Sequence, residues 1–208
     1  MGSLRRIILK NVTAVTMNPA GAIVRGNMVL ENGKITAIGE AISTSRAGDD
    51  FLHCDGLVAI PGIVQAHIHL TQTLFRNRAD DMELLDWLRQ RVWPLEAAHT
   101  AESSAASARL GLAELIAGGT TSILDMGTVR HHDEIFHAAE QSGIRYTGGK
   151  TMMDVGGFGV PAALCETTAA SLDEAAALAT RWHGKGGGRV RYAYAPRFVV
   201  TCTDDLLR

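Results

Sequence analysis

Cysteine pairs and long apolar runs are missing from this sequence. Its three cysteines, Cys54, Cys165 and Cys202, are widely spaced and form no Cys-x-x-Cys motif. This spacing argues against a disulfide framework and favours a reducing compartment, the cytoplasm. No apolar run reaches the ~18 residues of a membrane-spanning helix. The opening segment MGSLRRIILKNVTAV lacks a small-residue cleavage site and alternates polar and apolar positions, so we expect a strand there rather than a signal peptide.

A strong charge imbalance is also missing. The chain has 20 Lys and Arg residues against 22 Asp and Glu residues, which gives a formal net charge of −2. Such a balance offers no electrostatic reason to expect nucleic acid or an anionic membrane as a partner. With 46% hydrophobic and 20% charged residues among 208, the composition is typical of a soluble globular protein with a sizeable core.

Residues 1–60 carry strand patterns and are predicted to form a small β-sandwich-like domain. The segment RRIILKNVTAVTM is strand-like. The segment NMVLENGKITAIG predicts a hairpin, because Asn32-Gly33 is the preferred two-residue turn between alternating apolar runs. Pro61-Gly62 then marks a junction, after which the rhythm of the sequence changes.

Residues 61–208 alternate strand and helix patterns, which is typical of a parallel sheet built from βα units. The four predicted strands are GIVQAHIHL, which we expect to be buried, TTSILDMG, IRYTGGKTMMD and GRVRYAYAPRF. Four units fit either a complete open sheet or the first half of a (β/α)8 barrel of about 250 residues. Because TCTDDLLR resembles the start of a further helix, we favour an α/β fold with the amino-terminal half of a TIM-type barrel after the small all-β domain.

Two histidines one residue apart, His67 and His69, end the first of these strands. Side chains alternate between the two faces of a strand, so both imidazoles are expected to point the same way. Neutral imidazole is the commonest nitrogen ligand of zinc, and barrel enzymes keep their active sites at the carboxyl ends of the strands. The alternative is a pair of core histidines bonded to backbone carbonyls. Burying two unpaired imidazoles is costly, so we interpret the pair as a metal site.

The segment PGIVQAHIHL resembles the first-strand signature of the amidohydrolase superfamily, and LLDWLRQRVWPLE resembles its deaminase and chlorohydrolase branch. That branch includes S-adenosylhomocysteine/methylthioadenosine deaminases, guanine deaminase and the triazine hydrolases. AGGTTSILDM and APRFVVTCTDDLL extend the resemblance over nearly the whole chain, and Glu96 follows His69 at the matching distance. The resemblance implies a metal-dependent hydrolase that deaminates an aminated nitrogen heterocycle of the purine, purine nucleoside or triazine type.

The resemblance also implies which residues hold the metal. His67 and His69 match the first two ligands of the superfamily, and a water on one divalent ion, zinc or alternatively iron, would attack the ring carbon. The segment YAPRF has no lysine of the kind that bridges two metals in some members, which favours one ion. The other ligands and the proton-shuttling glutamate have no match before Arg208. We therefore expect the catalytic residues to lie beyond Arg208 and residues 1–208 alone to be inactive.

Several residues are candidates for contact with the substrate. They are Gln72, Trp87, Glu96, Lys150, Arg197 and Phe198. Glu96 matches a family glutamate that accepts hydrogen bonds from a ribose or a ring substituent, although a helix-end surface carboxylate is the alternative. Trp87 could instead belong to the core, and Lys150 could be a solvated residue at a strand end. Pro-Arg-Phe around Arg197, together with Gln72, resembles guanine deaminase, whereas nucleoside-type members often carry Pro-His.

Two alternatives stay open at this point. A non-catalytic member could use the same fold as a binding or assembly module, although such a scaffold need not keep the histidine pair. The adjacent His131 and His132 could face the pocket, but Asp133 and Glu134 beside them favour a solvated helix start. The expected partner is a small heterocyclic substrate, and the full-length parent is expected to be a homo-oligomer.

Overall fold

The computed structural model describes residues 6–40, 42, 46–78 and 80–208. By its internal contacts the chain separates into two compact units, Met1–Pro61 and Gly62–Arg208. The histidine pair and all the candidate substrate contacts belong to the second unit. Within the described ranges, no helix combines the length and the apolar character that crossing a membrane requires.

The first unit contains a five-stranded mixed sheet. Its strands are β1 (Ile7–Val15), β2 (Ile23–Glu31), β3 (Lys34–Gly39), β4 (Asp50–His53) and β5 (Val58–Ala59). The strand order is β3-β2-β1-β4, with β5 also paired to β1, and β2 runs antiparallel to both of its neighbours. Asn32 and Gly33 both have positive φ, as a type I′ turn requires, so the predicted hairpin is confirmed. A sandwich-like second layer stays a prediction.

The second unit is built on parallel strands, as the alternating sequence pattern predicts. They are β6 (Ile63–Ile68), β7 (Thr120–Met126), β8 (Arg145–Gly149), β9 (Thr151–Met152), β10 (Val190–Tyr192) and β11 (Ala195–Pro196). The main sheet has the order β10-β8-β7-β6, and β9 and β11 form a separate parallel pair. The third and fourth predicted strands are therefore each interrupted, because their second halves leave the main sheet and pair with each other.

Helices connect these strands. They are α1 (Leu84–Trp87), α2 (Trp93–Ala97), α3 (Ala101–Ala117), α4 (His132–Ser142), α5 (Thr168–Trp182), α6 (Lys185–Gly188) and α7 (Asp204–Leu207). A π-helical segment, Leu88–Val92, joins α1 to α2, and 3-10 turns span Leu70–Phe75, Ala162–Leu164 and Val199–Thr201. The main core lies between the sheet and α3, α4 and α5, where Phe136 stacks on Trp182.

The prediction that the first barrel strand is buried is wrong. β6 forms one edge of the main sheet and pairs only with β7 among the described strands. Ile63 and Val64 keep 44% and 67% of their surface exposed. Parallel strands are usually covered on both faces and paired on both sides, so an apolar run alone suggested burial. A strand is buried only when other strands also flank it, and among the described strands β6 has a neighbour, β7, on one side.

Candidate metal centre

His67, near the end of β6, and His69, just after it, converge at the point where this strand ends. Between the pairs Gln65–Ile123 and Ile68–Asp125, β6 contains one residue more than β7, which is a local β-bulge. The Nε2 atoms of His67 and His69 nevertheless lie 3.1 Å apart. Their rings meet edge to face with centroids 5.0 Å apart. Both imidazoles therefore present a nitrogen to the same small volume.

A carbonyl at the end of β7 fixes the ring of His69. Nδ1 of His69 lies 2.8 Å from the carbonyl oxygen of Met126, so its N–H donates there and Nε2 keeps a free lone pair. Burial lowers the pKa of His69 below its usual value, and the charges of Arg197 and His67 lower it further. The bond to Met126 and the charge of Glu96 act in the opposite direction. The neutral imidazole that a metal needs is thus the favoured form.

The geometry of this pair fits a divalent metal ion. Two nitrogens that each bind one zinc ion at about 2.0–2.1 Å must lie within about 4.2 Å of each other. The observed separation of 3.1 Å satisfies this limit. Within the described ranges no group of three or more His, Cys, Asp or Glu side chains is arranged to hold a metal. Among the described residues, His67 and His69 are thus two potential metal ligands that lie close together.

Three of the candidate substrate contacts meet in one buried network. Glu96, on α2, is almost fully buried and forms a two-point ion pair with Arg197, with N···O distances of 2.5 and 3.3 Å. Gln72 donates its amide N–H to the same carboxylate at 2.9 Å. Glu96 is thus no helix-end surface carboxylate. Arg197 is placed here because it follows β11, and its backbone N–H donates to the carbonyl of Met152.

The other candidate contacts lie apart from this network or at its margin. Trp87 packs at the edge of a small core and lines a cavity of about 210 Å³ that Gln72 also lines. Lys150 is fully buried rather than solvated, and its Nζ contacts Glu166 at 2.6 Å and Glu174 at 2.5 Å. Phe198 follows Arg197 and is partly exposed. A direct substrate contact of Trp87, Lys150 or Phe198 stays a prediction.

A groove lies beside His67. It has a volume of about 250 Å³ and is lined mainly by apolar groups, among them Ala66, Leu124, Met126 and Pro196, with His67 at its wall. These residues lie on β6, β7 and β11 toward their carboxyl ends. In parallel α/β folds this end of the strands is where ligands bind.

A family model matches most of the chain. Residues 58–208 match the model described as the amidohydrolase family. This chain belongs to the amidohydrolase family. The resemblance seen in the sequence is therefore confirmed.

Individual proteins give the same picture for this amidohydrolase. It is 37% identical over 202 residues to 5′-deoxyadenosine deaminase from Methanosarcina mazei, a match covering 97% of the chain and 44% of that relative. The guanine deaminase structure from E. coli matches 100% of the chain and 49% of its own, at 26% identity and a TM-score of 0.82. A zinc complex of atrazine chlorohydrolase from Arthrobacter aurescens TC1 matches 96% and 48%, at 21% identity and a TM-score of 0.83. The amidohydrolase chain thus spans about half the length of the proteins it matches.

The amidohydrolase unit also contains a buried chain of hydrogen bonds that was not predicted from the sequence. His132 is buried, so the expectation of a solvated pair is wrong for it, although His131 is exposed. Nε2 of His132 lies 3.0 Å from the hydroxyl of Tyr146, and this hydroxyl donates to Asp125 at 2.8 Å. The helical spacing could have indicated that His132 is buried. It lies three, four and seven residues before the buried Ile135, Phe136 and Ala139.

Burial shifts the pKa values of the two ionisable groups at the ends of this hydrogen-bonded chain, His132 and Asp125. Desolvation lowers the pKa of His132 from 6.5 to about 3 and raises that of Asp125 from 3.8 to about 6. Between pH 6.5 and 3 the unfolded state binds more protons at His132 than the folded state, so acid destabilises the fold there. Asp125 acts in the opposite direction between pH 3.8 and 6, but its shift is smaller. Because the pKa shift of His132 is the larger of the two, we expect the free energy of unfolding to fall as the pH falls.

We expect His132→Gln to make the folding stability less sensitive to acid. Glutamine can still donate an N–H to the Tyr146 hydroxyl, but it gains no proton on unfolding. The free energy of unfolding, measured with urea at pH 7 and pH 5, should fall less in this variant than in the parent protein. His137→Gln, on the exposed side of the same helix, is the matched control. An unchanged pH dependence in His132→Gln would contradict the assignment.

Proposed function

We propose that this chain supplies the amino-terminal part of a cytoplasmic, homo-oligomeric deaminase that hydrolyses an exocyclic amine from a purine or purine nucleoside. Residues 62–208 would be the first four βα units of its barrel, and residues 1–61 a separate small β domain. The observation that carries this proposal is the convergence of the His67 and His69 Nε2 atoms, 3.1 Å apart, with the His69 ring held by Met126. The deaminases that the chain resembles support it.

In this proposal His67 and His69 hold one divalent metal ion, with zinc as the first choice and iron as the alternative. Such an ion supplies Lewis-acid activation of water near neutral pH. The chain positions the two imidazoles through β6 and the Met126 carbonyl, which orients the His69 ring so that its Nε2 points toward His67. Burial of His69 lowers its pKa and favours the neutral form. The further ligands and the proton-transferring groups would come from the rest of the full-length protein.

The Gln72–Glu96–Arg197 network would recognise the ring. The backbone N–H of Gln72 donates to the carbonyl oxygen of His69 at 3.0 Å, so the network lies near the histidine pair. The Glu96 carboxylate accepts three hydrogen bonds here and can accept about four, which leaves room for one from a ribose hydroxyl or a ring N–H. Arg197 carries five N–H donors in a rigid fork, and two of them hold Glu96, so its orientation is fixed. Trp87 would form a stacking wall beside Gln72, and Phe198 and Lys150 would lie further out.

Ammonia release from a set of heterocycles tests the proposed reaction. The full natural polypeptide containing this sequence would be incubated with 5′-deoxyadenosine, methylthioadenosine, adenosylhomocysteine, guanine, cytosine and melamine. We expect metal-dependent deamination of one or more purine compounds, with cytosine and melamine as poorer substrates. The metal is removed with a chelator and restored with zinc to show that turnover follows metal content.

Parallel assays with amides, lactones and a chlorotriazine separate the alternatives. Hydrolysis of amides or lactones, without deamination of any compound in the set, would refute the deaminase assignment and leave the family intact. A protein that binds these compounds without turning any of them over would favour a binding module instead. Dechlorination of a chlorotriazine without deamination would move the protein toward the chlorohydrolases.

A further inference from the structure

The chain leaves the main sheet directly after β6, at His69 and Leu70. β6 ends at Ile68, His69 has extended backbone angles, and Leu70 begins the 3-10 turn Leu70–Phe75. The first backbone N–H groups of a helical turn have no partner within the turn. Leu70 is fully buried, so water cannot satisfy its N–H. Oδ1 of Asp125 accepts this N–H at 2.8 Å.

Two consecutive residues of β7 thus hold His69 from two directions. Asp125 holds the backbone immediately after His69, through Leu70, and the Met126 carbonyl holds the imidazole ring. The second carboxylate oxygen of Asp125 accepts the Tyr146 hydroxyl at 2.8 Å, which fixes the rotation of the carboxylate. Asp125 is 2% exposed, and its two carboxylate oxygens accept from Leu70 and Tyr146.

We propose that Asp125 is a positioning residue for the His69 metal ligand, acting through the backbone N–H of Leu70. The inference rests on the proposed function, since it assumes that His69 binds the metal. Without the Asp125 carboxylate, the Leu70 N–H would be a buried donor with no acceptor, and the chain would shift to reach another. Such a shift moves His69 relative to both Met126 and His67, so the two Nε2 atoms no longer converge.

The test is zinc affinity, measured by competition with a chelator in the full natural polypeptide. We expect Asp125→Ala to weaken zinc binding by about 10–100-fold, the usual cost of removing an outer partner of a metal ligand. Asp125→Asn should stay within about threefold of the parent, because an amide oxygen also accepts from Leu70. Urea unfolding of the same variants, without metal, gives their stability independently of zinc.

Tyr146→Phe is the control for a purely structural role. It removes the other partner of Asp125 and leaves the bond to Leu70, so it should lower stability and leave zinc affinity within about threefold. If Tyr146→Phe weakened zinc binding as much as Asp125→Ala, the positioning role would be refuted. Should Asp125→Ala not fold, Asp125→Ser offers the same comparison, because its shorter hydroxyl cannot hold both partners.

Failure of this inference can be told apart from failure of the proposed function. If the parent protein binds no zinc, or binds it normally after His69→Ala, the metal site itself is wrong. If His69→Ala loses zinc while Asp125→Ala and Asp125→Ser keep the parent affinity, the metal site stands and the positioning role of Asp125 is wrong.

Discussion

Replacing His67 or His69 with alanine is expected to remove the metal ion and the activity of the full-length protein together. The two imidazoles converge to 3.1 Å, and each would give the ion one of its few protein ligands. Losing a ligand costs more than losing an outer partner, so we expect zinc affinity to fall by more than about 100-fold. Elemental analysis of the purified variants, beside a chelator competition, measures the loss directly.

A histidine outside the site provides the matched control for this experiment. His137 lies on α4, is largely exposed, and contacts only Asp133 at 3.9 Å and the edge of Trp182 among the contacts described. His137→Ala should therefore keep the metal content and the turnover of the parent. A double variant of His67 and His69 with a normal metal content would rule out the site.

The alternation of strands and helices in the second unit was predictable because it depends on local periodicity. The long helices carry their own end signals: Thr100 caps α3, Gly143 ends α4 with positive φ, and Thr167 caps α5. The exposure of β6 was not predictable in the same way. An apolar strand is buried only when other elements cover it, and the sequence of the strand does not contain that information.

The convergence of the histidines was expected for an incomplete reason. Strict alternation puts His67 and His69 on one face, but β6 contains a bulge and ends at Ile68. The two rings meet because the chain turns at His69, where Asp125 and Met126 hold it. Asp125 shares the face of β7 that carries the buried Ile123, so a buried carboxylate could have been inferred from period-two spacing.

The pairing of Glu96 with Arg197 lies beyond any local pattern, because 101 residues separate them in the sequence. Each residue was singled out alone, as a possible contact to the substrate. The structure joins them because α2 and the segment after β11 come together only in the folded unit. Their mutual neutralisation explains how two charged side chains can be buried.

Arg197→Met is expected to destabilise the full-length protein by about 3–5 kcal/mol, the cost of leaving one charge of a buried ion pair uncompensated. Glu96 would keep only the hydrogen bond from Gln72, and its carboxylate is buried with 1% of the residue exposed. The double variant Glu96→Leu with Arg197→Met should be less destabilised than the sum of the two single variants, because neither charge then remains alone.

Urea unfolding measures these three variants, and an exposed ion pair gives the matched control. Arg76 and Glu114 form a pair of similar geometry at 2.6 Å, but both side chains are about half exposed. Arg76→Met should therefore cost far less than Arg197→Met, since water and salt screen an exposed pair. Equal costs for the two substitutions, or full additivity in the Glu96 and Arg197 double variant, would show that the buried network does not hold its charges as described. The expected results would show that Glu96 holds Arg197 in a fixed orientation before a substrate ring binds. This preorganisation is the condition for Arg197 to discriminate between substrates.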